Sequence, residues 1–126
     1  MSTHKLRKVW LFTGWLLIAL VVYVSLIPAL PSIDITAADK VAHVFAYATL
    51  TLWFLQLYPA DRRAMLVIGF IMMGIALEFL QELTASRSFE YVDIAANTGG
   101  VVLGWLLAKT RLSNTLHVIE KQLIRV

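Results

Sequence analysis

The residues of this chain that could do chemistry fall into three short groups. Lys40 and His43 stand together, with Tyr47 one helical turn further on the same face. Glu78 and Gln81 are spaced i, i+3, and Asp93 and Asn97 are spaced i, i+4. Arg87 lies between the second group and the third. Each spacing puts its members on one face of a helix. Together they offer a carboxylate pair, an imidazole, two amides and two cations. Such a set could bind an anionic group through charge-assisted hydrogen bonds, or supply an acid and a base from His43 with Glu78 or Asp93. There are no cysteines, so disulfides, thiolate metal sites and cysteine nucleophiles are excluded. The motifs H-E-x-x-H and G-x-S-x-G are absent. No metal ligand set or cofactor is assigned.

The elements that must carry these groups are strongly apolar. Of 126 residues, 60% are hydrophobic and 15% charged, against roughly 45–50% and about 25% in an average soluble domain. Four runs stand out: 9–27, 41–57, 64–83 and 91–108. The first holds no charge over nineteen residues. A bilayer core about 30 Å thick needs roughly 20 apolar helical residues to cross it, and continuous rather than alternating apolarity reads as helix. The expected fold is therefore all-α: a polytopic membrane protein with a four-helix transmembrane bundle over residues 1–108. Pro28 and Pro31 end the first helix, and Ser32 to Asp39 reads as a loop with Asp39 as N-cap. Tyr58-Pro59-Ala60-Asp61 makes a tight turn, and Ser86 to Glu90 forms the next loop. The first run exceeds the roughly 7–15 apolar residues of a signal core, and no A-x-A site follows it, so it reads as an uncleaved span.

Orientation follows from lysine and arginine. Nine of the eleven basic residues, namely Lys5, Arg7, Lys8, Arg62, Arg63, Lys109, Arg111, Lys121 and Arg125, fall on one side of this topology. Only Lys40 and Arg87 fall on the other. Both termini are thus expected in the cytoplasm, and the polar groups at the outer end of their helices. At 1.5 Å per residue, Glu78 and Asn97 lie roughly 8–10 Å below that end. A charge facing lipid near the bilayer centre costs about 2.5–3.5 kcal/mol, which turns such groups toward each other. Lys40, His43, Glu78, Gln81, Arg87, Asp93 and Asn97 are the candidate ligand-binding cluster. Glu78 or Asp93 with Arg87 or Lys40 are the available ion pairs, and His43 could donate to Glu78.

Asp93, Asn97, Gly100 and Gly104 form one stripe, in which Gly100 and Gly104 read as a packing seam. Gly74 and Gly99 are further candidates for close approach. Trp10, Trp53 and Trp105 read as interfacial or lipid-facing. Residues 109–126 form a cytoplasmic tail, in which Leu112, Leu116, Ile119 and Leu123 recur at helical spacing. They describe an amphipathic helix lying on anionic lipid. Nucleic acid is not an expected partner, because the tail lacks stacking aromatics.

Read in order, these residues resemble the VanZ-like family of small bacterial membrane proteins. The resemblance rests on Asp39-Lys40-Val41-Ala42-His43-Val44-Phe45-Ala46-Tyr47, on Glu78-Phe79-Leu80-Gln81 and Arg87, and on Asp93-Ile94-Ala95-Ala96-Asn97-Thr98-Gly99-Gly100 with Gly104. It covers roughly Ser32 to Ala108. It implies a cell-envelope role in the bacterial cytoplasmic membrane, the family being named for resistance to the glycopeptide teicoplanin, and supplies no reaction. The leading expectation is a protein that binds an anionic lipid or lipid-linked envelope precursor. A helix-locking scaffold, an enzyme acting on an envelope lipid at the outer face, and a transporter follow in that order. A homo-oligomer stays open.

Overall fold

The structure is a computed structural model that describes residues 3–26, 36–83 and 91–124. It is all-helical, with no strand among the described residues. Helices α1 (Thr3–Leu26), α2 (Thr36–Leu55), α3 (Arg63–Leu83) and α4 (Tyr91–Leu107) form the body, and α5 (Thr115–Ile124) closes one end. Single 3₁₀ turns at Ala60–Arg62 and Arg111–Asn114 lead into α3 and α5.

Two boundaries differ from the sequence expectation. Helix α1 begins at Thr3 rather than near Val9, because Lys5, Arg7 and Lys8 are sound helix formers whatever their hydropathy. Helix α2 begins at Thr36, so Asp39 sits inside the helix and is not its N-cap. Ala37 and Ala38 favour continuing the helix backward at that point. Pro28, Pro31 and the 86–90 loop, with Arg87 and Glu90, lie outside the described residues.

By length and composition, Thr3–Leu26 and Ala60–Leu83 are each long and apolar enough to cross a membrane. Helix α4 and the segment Arg111–Leu123 qualify together as a pair bent by 74°, while Lys40–Leu55 is a shorter apolar helix.

Helix α2 packs chiefly on α4, and the two run parallel. Gly100 lies against Val44 and Gly104 against Ala48, four residues further along both helices. A Cβ on Gly100 would come within 2.5 Å of the Val44 carbonyl oxygen, and one on Gly104 within 2.6 Å of that of Ala48. Only glycine lets the two backbones approach this closely. Helix α3 runs antiparallel to α4, with Gly74 facing Asn97. Tyr47, Leu50, Phe54, Val67, Phe70 and Val101 form the buried core where the helices meet.

At the other end, Trp10 and Trp53 do not face lipid. Their rings stack at 3.7 Å, and each indole N–H donates to the other residue's backbone carbonyl. Pairing the two indoles satisfies both donors inside the protein, which an outward rotamer would leave to solvent. Helix α5 docks beside them. Leu116 is buried against Leu6 and Trp10, with Ile119 packed on the same cluster. Gln56 accepts from the Leu116 amide at 2.8 Å, and Arg7 pairs with Glu120 at 3.0 Å. The apolar stripe expected on lipid is thus split. Leu116 and Ile119 face the bundle, while Leu112 and Leu123 remain exposed.

Candidate functional site

The N-termini of α2 and α4 and the C-termini of α1 and α3 meet at one end, and the polar residues gather there. Their depth follows from register. Gly74 of α3 faces Asn97 of α4, so one turn toward this end Glu78 comes level with Asp93. On the parallel partner α2, Lys40 stands opposite Asp93 and His43 opposite Asn97.

The contacts agree with that register. The Lys40 ammonium donates to Asp93 Oδ1 as a charge-assisted bond between α2 and α4. One turn deeper, His43 Nδ1 donates to Asn97 Oδ1 at 2.8 Å, which fixes the imidazole's orientation. Gln81 Nε2 donates to the Ser25 carbonyl at 2.7 Å. That bond ties α3 to the last turn of α1, where helix carbonyls lack intrahelical partners. Glu78, Gln81, Asp93 and Asn97 are all buried, at 1–6% exposure. Lys40 and His43 are partly exposed and stand at the rim.

Of the candidates read from sequence, Lys40, His43, Glu78, Gln81, Asp93 and Asn97 fall at this end on three helices. Arg87 lies outside the described residues. The pairing of His43 with Asn97 was not among those expected. It needs α2 and α4 to be parallel neighbours in one register, which spacing within either helix does not state. Tyr47 completes the group. It is 2% exposed, its ring borders Gly74, and Glu78 lies near enough to act on it electrostatically. Its hydroxyl is buried with no hydrogen-bond partner among the described residues. The i, i+3, i+7 spacing of Lys40, His43 and Tyr47 was the available sequence signal.

Gly74 shares this crowding, since a Cβ there would meet Asn97 Cβ at 3.0 Å and Tyr47 Cε1 at 3.4 Å. Around Gly99 nothing lies within 4 Å. No group of three or more His, Asp or Glu residues positioned for a metal ion occurs among the described residues.

These features define a class: apolar helices of membrane-spanning composition, with a buried, cross-paired polar cluster at one end of the bundle. Within it, the chain belongs to the VanZ/LLP1 family, whose profile matches residues 2–114. It is also similar to an uncharacterized protein of the fission yeast Schizosaccharomyces pombe, at 35% identity over 107 residues. That match covers 81% of this chain and 64% of the yeast protein, so the chain corresponds to less than two thirds of that relative. No solved structure matches it.

Proposed function

We propose that the protein is a four-span membrane protein whose polar cluster binds the anionic headgroup of a lipid or lipid-linked envelope precursor at the outer face. One observation carries the reading: Glu78, Gln81, Asp93 and Asn97 are buried at one end of an otherwise apolar bundle, with Lys40 and His43 at the rim. Burying that many polar groups costs stability that their hydrogen bonds do no more than offset, so their concentration at one end favours a functional reason for it. Exposed Phe12, Leu16, Phe45, Met72, Phe79 and Val102 suit lipid contact on all four helices, since a water-facing surface rarely carries so much apolar area. The basic residues at the opposite end put both termini in the cytoplasm. The cationic donors for a phosphate are Lys40 and Arg87, the latter assigned from sequence alone. The membrane is the bacterial cytoplasmic membrane in this reading, with teicoplanin sensitivity as its cellular readout. A protein of similar sequence also occurs in a eukaryote, the fission yeast.

The test compares thermal unfolding of the detergent-purified wild type with that of Glu78→Gln, Arg87→Ala and Asp93→Asn, with and without phosphatidylglycerol. Variants that stay as stable as wild type, or gain stability, yet lose lipid-dependent stabilisation support headgroup binding. A second reading is favoured by the Lys40–Asp93 and His43–Asn97 pairs: the cluster locks α2 to α4 and binds nothing. Collapse of all three variants without lipid would put that reading first.

A further inference from the structure

A dense group of cations lies at the end opposite the polar cluster, where α3 begins and α4 finishes. Arg62 and Arg63 enter α3, and Lys109 and Arg111 follow α4, with Asp61 the one acidic residue of the two segments. Register brings the segments together. Gly74 faces Asn97, and the same number of residues along each antiparallel helix sets Arg63 level with Ala108. Arg63 Nη1 accordingly donates to the Ala108 carbonyl at 3.5 Å. Lys109 comes next in the chain, and its ammonium lies 5.3 Å from the centroid of the Trp105 ring.

Cations that only mark the cytoplasmic end of a helix need no fixed place. Two of these have one. The partly exposed Arg63 is tied to a carbonyl that takes one of its five N–H donors. Its planar fork suits two oxygens of one phosphate. Lys109 is exposed but steered by the indole beneath it. Side chains already held lose less freedom when a ligand arrives. On the bilayer side of these cations stand Met65 of α3 and Leu106 of α4, level in the same register and 58% and 53% exposed. Cations above exposed apolar surface match a phospholipid, whose phosphate sits above its chains.

The geometry points to a second lipid site: Arg63 and Lys109 hold the phosphate of an anionic phospholipid of the cytoplasmic leaflet. Arg62 and Arg111 add charge, and Met65 and Leu106 meet the chains. The cytoplasmic leaflet carries the anionic lipids, and the site faces it in the orientation proposed above. The bound lipid joins the start of α3 to the end of α4. It makes no use of the polar cluster.

Native mass spectrometry of the full chain in detergent, titrated with phosphatidylglycerol or phosphatidylcholine, measures the lipid bound. Wild type, Arg63→Gln, Lys109→Gln and Lys121→Gln are compared. Lys121, on α5 at the same end, is also exposed, so a merely diffuse field would feel its loss as much as that of Lys109. Wild type should prefer phosphatidylglycerol. Arg63→Gln and Lys109→Gln should each bind it about tenfold more weakly, the scale of one charge-assisted hydrogen bond, and Lys121→Gln as wild type does. Each variant is also measured with Lys40→Gln, which removes a cation of the polar cluster, so that binding at the two ends is told apart. No preference in wild type, no loss in Lys109→Gln or an equal loss in Lys121→Gln overturns the inference. An Arg63→Gln variant that unfolds earlier without lipid yet keeps its lipid affinity overturns it in favour of a plain cap on α4. Displacement of the lipid by inorganic phosphate at equal concentration overturns recognition of the lipid as a whole. Lys109→Gln changes an exposed side chain and decides the matter if Arg63→Gln does not fold.

Discussion

Trp10 and Trp53 hold each other by a reciprocal bond: Trp10 Nε1 donates to the Trp53 carbonyl at 3.1 Å, and Trp53 Nε1 to the Trp10 carbonyl at 2.8 Å. Their stacked rings are within 6° of parallel. The pair joins α1 to α2 and forms the floor on which α5 rests. Replacing either tryptophan by phenylalanine removes one N–H donor and keeps an aromatic surface, so each single change should cost about 1–2 kcal/mol. Because the two bonds share one geometry, the double variant should cost about 1 kcal/mol less than the sum. A double-mutant cycle on reversible unfolding in detergent micelles checks this. Simple additivity would show that the indoles act independently.

The Lys40–Asp93 pair should behave differently when broken and when replaced. Asp93→Ala leaves Lys40 without this partner in a partly buried position, and a cost of about 1–3 kcal/mol is expected. Lysine can ease part of that by extending its ammonium toward the interface. Replacing both residues by apolar ones, Lys40→Met with Asp93→Leu, should return most of the stability, since two desolvated charges vanish together. Thermal unfolding of the three variants separates these outcomes. A double variant as unstable as Asp93→Ala would mean that the carboxylate serves more than its lysine.

Helix α5 is held by Leu116, which is 2% exposed, and less by the Arg7–Glu120 ion pair, whose arginine side chain is 47% exposed. Leu116→Ala should cost roughly 2–4 kcal/mol of the docking energy. Glu120→Gln should cost under about 1 kcal/mol, as half-solvated pairs do. The loss is local. Amide exchange in α5 should rise sharply in Leu116→Ala while the core around Leu50 and Val101 stays protected. Uniform loss of protection throughout the bundle would instead make α5 part of the cooperative core.

The outline of this fold was legible because an apolar run long enough to be a span has few other uses. That Glu78, Asp93 and Asn97 lie near one common end of the bundle followed from counting residues to the helix ends. What single-helix spacing does not carry is which helices are neighbours. The His43–Asn97 bond depends on α2 and α4 running parallel in one register. Gly100 and Gly104 hinted at a close partner without naming Val44 and Ala48. The tryptophans misled because an indole is equally at home in a membrane interface and against another indole. The stripe Leu112, Leu116, Ile119, Leu123 misled for a related reason. An amphipathic helix looks the same whether its apolar face meets lipid or the end of its own bundle, and here Leu6 and Trp10 claim the middle of it. Helix α2 starts early because Ala37 and Ala38 continue a helix as readily as they end a loop.

The adjacent pair Gly99 and Gly100 gives the sharpest contrast in the chain. They have the same helical backbone, and neither has a positive φ. They differ only in what lies beyond the Cα. At Gly100 an added methyl would meet the Val44 carbonyl oxygen at 2.5 Å and Tyr47 Cβ at 2.9 Å, so the backbone of α2 itself must move. Gly100→Ala should therefore cost about 1–3 kcal/mol even after its gain in helix propensity, and Gly104→Ala should follow it for the same reason at Ala48. At Gly99 nothing lies within 4 Å, so alanine there adds only propensity, worth up to about 1 kcal/mol in favour of the helix. Gly99→Ala is expected to unfold at or above the wild-type temperature, and Gly100→Ala well below it. Because α2 carries Lys40 and His43, the displacement should also weaken the contacts of those residues with Asp93 and Asn97. A nitrogen-labelled histidine spectrum reads that change directly, as a shifted His43 Nδ1 resonance in Gly100→Ala and an unchanged one in Gly99→Ala. Equal stability of the two variants would mean that the α2–α4 seam is looser than 2.5 Å implies, and that the polar pairs rather than the glycines set its register.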